Sequence, residues 1–287
     1  PEFVGVLTPY AVARLRGGVA PEAVTEEIEQ RVPDITPSAR YMLGSAFHAY
    51  GALEAAERQY RAALADRPQS FHIRTNLAEM LLNQGRYAEA ASEAAQVDDE
   101  GPFAALACRI ELWGRIASGD LDGARAATPR AARAGVPAAE LDVFAAWLEA
   151  TGATEEPRSL RVAATPLLGV ILDSLLGLHA FETFETLAGV LGRSALPARE
   201  RRELLASMYL KHGFLASAAT EWMAVCQSAP DARALVGLAQ IAAAQGQPED
   251  AAVFASETLK HDPFNATARQ ILANCSAPQA SDLVAHR

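Results

Sequence analysis

The chain has 287 residues, half of them hydrophobic but only 7% aromatic, so it can bury a large core but must build it from small side chains. Alanine, present 62 times, supplies most of them, and its company of Leu, Glu, Arg and Gln favours helix wherever Gly and Pro are absent. A formal charge of −10 argues against a nucleic-acid-binding face, which needs clustered cations to neutralise phosphates.

Lys211 and Lys260 are the only lysines, and the abundance of Arg in their place reads as a high-GC bacterial coding bias. Cys108, Cys226 and Cys275 are odd in number and far apart. That spacing argues against a disulfide framework and points to small core residues in a reducing, cytoplasmic compartment. The longest apolar stretch, residues 167–178, contains Asp173 and Ser174 and falls short of the roughly 18 to 20 residues that cross a bilayer, so no membrane span is expected. Residues 1–3 read as a cloning-site remnant, which removes any inference about a signal peptide.

From the N-terminus, Pro9 to Arg16 and Pro21 to Arg31, separated by Gly17-Gly18, form a possible degenerate first hairpin within residues 1–36. A repeat then emerges. Gly51, Gly85 and Gly119 stand 34 residues apart, each followed two residues later by Leu53, Tyr87 or Leu121, and then by Ala56, Ala90 or Ala124. The pattern reads as a helix, a glycine turn and a second helix. Leu43, Gly44 and Phe47 share a face of the first helix. Ala56, Tyr60, Ala63 and Leu64 make the buried stripe of the second, and Pro68 discourages its continuation. Gly44 and Ala56 are small where two helix axes must approach.

These columns resemble the tetratricopeptide repeat. Residues 37–70 match its pattern best, and residues 71–104 keep Leu77, Ala78, Leu81, Gly85, Tyr87, Ala90 and Pro102, with Ala94 where a large aromatic is usual. Residues 105–138 keep the turn but set Glu111 and Arg115 at expected core positions, which points to a rotated or shifted first helix. Residues 139–164 lose the phase: one helix is expected around Leu141 to Ala150, then a hinge in the Gly, Thr, Glu and Pro of residues 151–157. Stepping by 34 residues places His179 at a turn, with Leu168, Ile171 and Leu175 before it and Phe181 and Phe184 after it, a degenerate repeat over residues 165–198. The pattern returns in Leu205, Ala206, Tyr209, Gly213, Ala218, Trp222 and Pro230. It recurs in Leu238, Ala239, Gly246, Ala251, Leu259 and Pro263, with Pro248 at a helix start where a missing amide is tolerated. Residues 266–287 supply a closing helix and a tail. The organisation expected is therefore an N-terminal array over residues 37–138, an irregular segment over 139–164 and a C-terminal array over 165–265.

The resemblance implies an all-α fold, a right-handed α-solenoid of tetratricopeptide-like helical hairpins, and a protein that binds a partner peptide or domain in a concave groove lined by the first helix of each hairpin. Projected through the 34-residue register, the candidate groove residues are Tyr41, Ser45, His48, His72, Thr75, Glu79, Leu82, Trp113 and Ile116. Ser38, Tyr41, Ser45, Thr75 and Glu79 replace the Lys and Asn of the family's carboxylate clamp, which argues against an acidic chaperone tail as partner. Trp113 and Ile116 have two readings. Either the first helix of residues 105–138 is turned so that Trp113 enters the core, or an apolar groove accepts a hydrophobic segment anchored on the indole.

No catalytic or metal-binding constellation accompanies the repeat. The six histidines lack the zinc-peptidase spacing, Cys-x-x-Cys and a Gly-rich phosphate loop are absent, and no cofactor is expected. Arg199, Arg201 and Arg202 could hold a carboxylate or phosphate but fit better as an exposed first helical turn. Asn265 reads as a helix cap. The competing functions are an interaction scaffold, the accessory region of a larger enzyme such as a bacterial glycosyltransferase or envelope-assembly protein, and, with little support, a free-standing enzyme.

Overall fold

A computed structural model describes residues 4–152, 160–227 and 230–276. They form two compact units, Pro1–Pro157 and Arg158–Arg287. Among the described residues there is helix and no strand. The first unit holds α1 (Val4–Arg16), α2 (Pro21–Arg31), α3 (Pro37–Ala49), α4 (Leu53–Asp66), α5 (Phe71–Asn83), α6 (Tyr87–Ala94), α7 (Ala104–Ala117), α8 (Leu121–Arg133) and α9 (Ala138–Thr151). The second holds α10 (Thr165–Gly177), α11 (Phe181–Gly192), α12 (Ala198–Lys211), α13 (Leu215–Cys226), α14 (Ala232–Ala244), α15 (Pro248–His261) and α16 (Ala266–Ser276). Each unit is an all-α helical repeat solenoid in which consecutive helices pair as hairpins and each hairpin packs on the next.

The turns share one construction. Gly51 adopts φ +79°, and behind it the Ala52 amide donates to the Phe47 carbonyl at 2.9 Å, which satisfies a carbonyl at the end of α3. The same backward bond recurs from Arg86 to Leu81, Asp120 to Arg115, Ala180 to Leu175, Phe214 to Tyr209 and Gln247 to Ala242. In the α10–α11 turn the left-handed place belongs to His179, at φ +57°. Its ring packs edge-on against Phe181 and Phe214, with centroids 5.7 and 6.0 Å away.

Small residues set the helix spacing. A Cβ on Gly44 would stand 2.8 Å from the ring of Tyr60 and 3.3 Å from the Ala56 carbonyl oxygen. Only glycine lets α3 lie this close to α4. Phe47, Ala56, Tyr60 and Ala63 are all essentially inaccessible, so α3 and α4 bury the stripe that the sequence marks.

The first hairpin is formed by α1 and α2, but α1 starts at Val4 and runs through Pro9 rather than beginning there. The third tetratricopeptide-like hairpin, α7 and α8, departs from the register. A Cβ on Gly114 would lie 2.6 Å from the Tyr87 carbonyl oxygen, so α7 is pressed against α6 of the preceding hairpin at that glycine. This setting turns Trp113 and Ile116 inward, where they are 6% and 3% exposed. Glu111 also enters the core, at 4% exposure, held by Arg115 at 2.9 Å and Arg130 at 2.5 Å. Helix α9 packs on α7 and α8 and buries Trp147 completely. Of the expected hinge, Thr151 ends α9 and Gly152 is its C-cap, while residues 153–157 lie outside the described residues, as do residues 1–3 and 277–287. At the other end, α16 closes the second unit on α14 and α15, started by the Asn265 side chain accepting from the Ala268 amide at 3.0 Å.

Candidate partner-binding groove

Helices α3 and α5 lie in successive hairpins, and the side chains between them form a cavity of about 280 Å³ lined by Ser45, His48, Ala49, Tyr60, Asn76 and Glu79. The Asn76 amide nitrogen donates to the Tyr41 hydroxyl at 3.0 Å, and the Tyr60 hydroxyl donates to Ser45 at 3.3 Å. Burial pushes the Tyr60 hydroxyl above its ordinary pKa, with the nearby charges of Tyr41 and Glu79 adding to the effect against the Ser45 hydrogen bond, so the phenol stays protonated and keeps donating. The His72 ring meets Tyr41 edge-on at 4.9 Å and Phe103 at 6.2 Å, extending an aromatic row from this cavity toward α7.

The candidate residues thus fall into two sets. Ser45, His48 and Glu79 line the cavity, while the half-buried Tyr41 and His72 stand outside its lining, Tyr41 with its ring 6.1 Å from that of Tyr60. Thr75, Leu82, Trp113 and Ile116 are core residues. Thr75 is inaccessible and spends its hydroxyl on the Phe71 carbonyl at 2.8 Å, while Leu82 is 3% exposed. Their placement in the groove is corrected by packing: α5 is covered on several faces, and α7 is turned about Gly114, so a fixed 34-residue projection overshoots by part of a helical turn. On α5 it is the neighbour of Thr75, Asn76, that lines the cavity. An amide beside a buried threonine carries no mark in the sequence that would select it.

The second unit has a larger cavity of about 790 Å³, along α12 and the start of α14, with Glu200, Glu203, Leu204, Ser207, Trp222 and Arg233 among its walls. None of the candidate groove residues lies there, although its lining includes Trp222 of the repeat pattern and Arg199 of the arginine trio. Its cations are already engaged: Arg199 donates to Glu203 at 2.9 Å and also to Asp231, and Arg233 stands 3.5 Å from Glu203. Arg201 donates to the Leu196 carbonyl at 2.9 Å, and Arg202 pairs with Glu221 at 3.0 Å. The three arginines therefore brace the start of α12 rather than present an anion site. Among the described residues no group of His, Cys, Asp and Glu could hold a metal ion, and no helix is long and apolar enough to cross a membrane.

The sequence profile of the tetratricopeptide repeat family matches residues 41–105 and 203–266, which span the α3–α6 hairpins and those of α12 to α15. These two segments are tetratricopeptide repeats. No curated protein matches it. Among solved structures it is similar to a tetratricopeptide repeat protein from Parabacteroides merdae, at 16% identity, covering 96% of this chain and 99% of that one with a TM-score of 0.45. Pseudomonas aeruginosa PilF is similar at 13% identity over 95% of this chain and 98% of its own, with a TM-score of 0.37. PilW, described as a type IV pilus biogenesis factor, is similar at 16% identity over 95% and 99%, with a TM-score of 0.35. Tetratricopeptide repeats support a role as a protein-interaction scaffold in general terms.

Proposed function

We propose that this protein binds an extended segment of a partner protein in the groove between α3 and α5, with no catalytic role. The observation that supports this reading is the cavity itself. Ser45, His48, Asn76 and Glu79 line it with polar side chains that are at most half-buried, with the hydroxyl of the buried Tyr60 behind them. Polar side chains on a rigid helical frame suit a segment that brings its own hydrogen-bonding groups, because each is already fixed in direction before binding.

Replacing His48 with a photo-crosslinking amino acid tests the proposal directly, with the same label at Val253, exposed on α15, as the control. A partner joined through position 48 and not through position 253 supports the groove. Crosslinks that form equally at both positions, or only at 253, overturn it.

A further inference from the structure

Resting on that reading, we propose that the α3–α5 cavity receives the cationic head of a basic side chain, a guanidinium or an ammonium, carried by the partner segment. Glu79 is the one carboxylate in the cavity lining, and no Lys or Arg shares that lining. It is exposed and, among the described residues, has no ion-pair partner, unlike Glu57, Glu93, Glu111 and Glu140 of the same unit, each of which is matched to an arginine. Arg40, the one arginine of α3, is directed to Gln59 and Glu29 instead.

The neutral groups around Glu79 favour the same occupant. Asn76 donates one amide hydrogen to Tyr41, and that bond leaves its carbonyl oxygen as an acceptor. The half-buried Tyr41 ring, 6.1 Å from the Tyr60 ring of the lining, gives the stem of a long cationic side chain an aromatic surface to lie against. A volume of about 280 Å³ lies just under the roughly 300 to 1,000 Å³ of pockets that enclose whole small ligands, and suits a single side chain. An anionic group would meet the Glu79 carboxylate with no Lys or Arg in the lining to offset it. The 790 Å³ cavity of the second unit lacks this selectivity, because Arg199 and Arg233 share its lining with the carboxylates and would repel a cation.

The test is a nuclear magnetic resonance titration of the intact chain with N-acetyl-arginine amide and with its uncharged counterpart, N-acetyl-citrulline amide, following the His48 ring and the Asn76 side-chain amide. The arginine compound is expected to shift both signals, with the citrulline compound about tenfold weaker or more, the difference one charge-assisted hydrogen bond supplies. Glu79→Gln should erase that preference, and Glu200→Gln, an exposed carboxylate on α12, should leave it intact. Equal binding of the two compounds, an unchanged Glu79→Gln variant, or no shift at saturating arginine compound overturns the assignment. If the position-48 crosslink still forms in such a case, only the cationic occupant is wrong. If it fails too, the groove itself is not the binding surface.

Discussion

Arg130 of α8 donates a 2.5 Å hydrogen bond to Glu111 of α7, joining the two helices through an ion pair whose carboxylate is 95% buried. Arg130 also reaches Asp99 and the Val97 carbonyl, and Arg115 takes the other oxygen of Glu111. Every charge in this cluster is matched. Removing only Glu111 leaves two guanidinium groups without their shared partner, so Glu111→Ala should cost roughly 3 kcal/mol, the low end for a broken buried pair, because Arg130 keeps Asp99. Replacing the pair together, as Glu111→Leu with Arg130→Met, should recover most of that loss. Urea unfolding of the three proteins checks it, and a double variant as unstable as Glu111→Ala would contradict it.

Trp113 separates the two readings of the third hairpin. With its indole 6% exposed, Trp113→Ala should destabilise the protein by about 3 to 5 kcal/mol through lost burial and a cavity. A thermal midpoint equal to the parent's would return the indole to the surface.

Gly51 and Gly44 should fail for different reasons. An Ala at 51 meets no atom within 4 Å but must hold φ +79°, a backbone cost of about 1 to 2 kcal/mol. An Ala at 44 drives a methyl into the Tyr60 ring, at about 1 to 3 kcal/mol of overpacking. Combining each with Tyr60→Leu should relieve the Gly44→Ala cost and leave the Gly51→Ala cost unchanged, measured by denaturant midpoints. Relief at position 51 would refute the backbone account.

Acid should loosen the α4–α6 surface. The hydrogen bond from Arg86 holds the Glu57 carboxyl below its ordinary value of 4.5, outweighing burial, with Arg61 helping. A depressed folded pKa contributes stability that is complete above 4.5 and is lost as pH falls through the lower folded value. Stability measured from neutral pH downward should therefore fall below about 4.5. In Glu57→Gln that fall should be shallower, while a variant curve parallel to the parent's would exclude this pair as a contributor.

The repeat frame was legible because helix pairing is a local matter. Gly51, Gly85 and Gly119 mark turns through a backbone conformation that few other residues accept, and Gly44 and Ala56 mark close helix approach through size alone. His179 shows that the period carries more information than the residue type, since the 34-residue step found a left-handed turn where no glycine stands.

The surface and core assignments of α5 and α7 depended on tertiary structure. A 34-residue period fixes where a helix lies but not its rotation to within the 100° that separates adjacent side chains, and that rotation is decided by what the neighbouring hairpin presents. Gly114 seats α7 against the Tyr87 carbonyl, which carries Trp113, Ile116 and Glu111 into the core. On α5 the same residual rotation buries Thr75 and turns Asn76 to the cavity beside Glu79. The sequence by itself determined that the chain is a series of helical hairpins, because that rests on contacts within each hairpin. Which side chains line the cavity rests on contacts between hairpins, where one residue of rotation exchanges a buried hydroxyl for a half-buried amide.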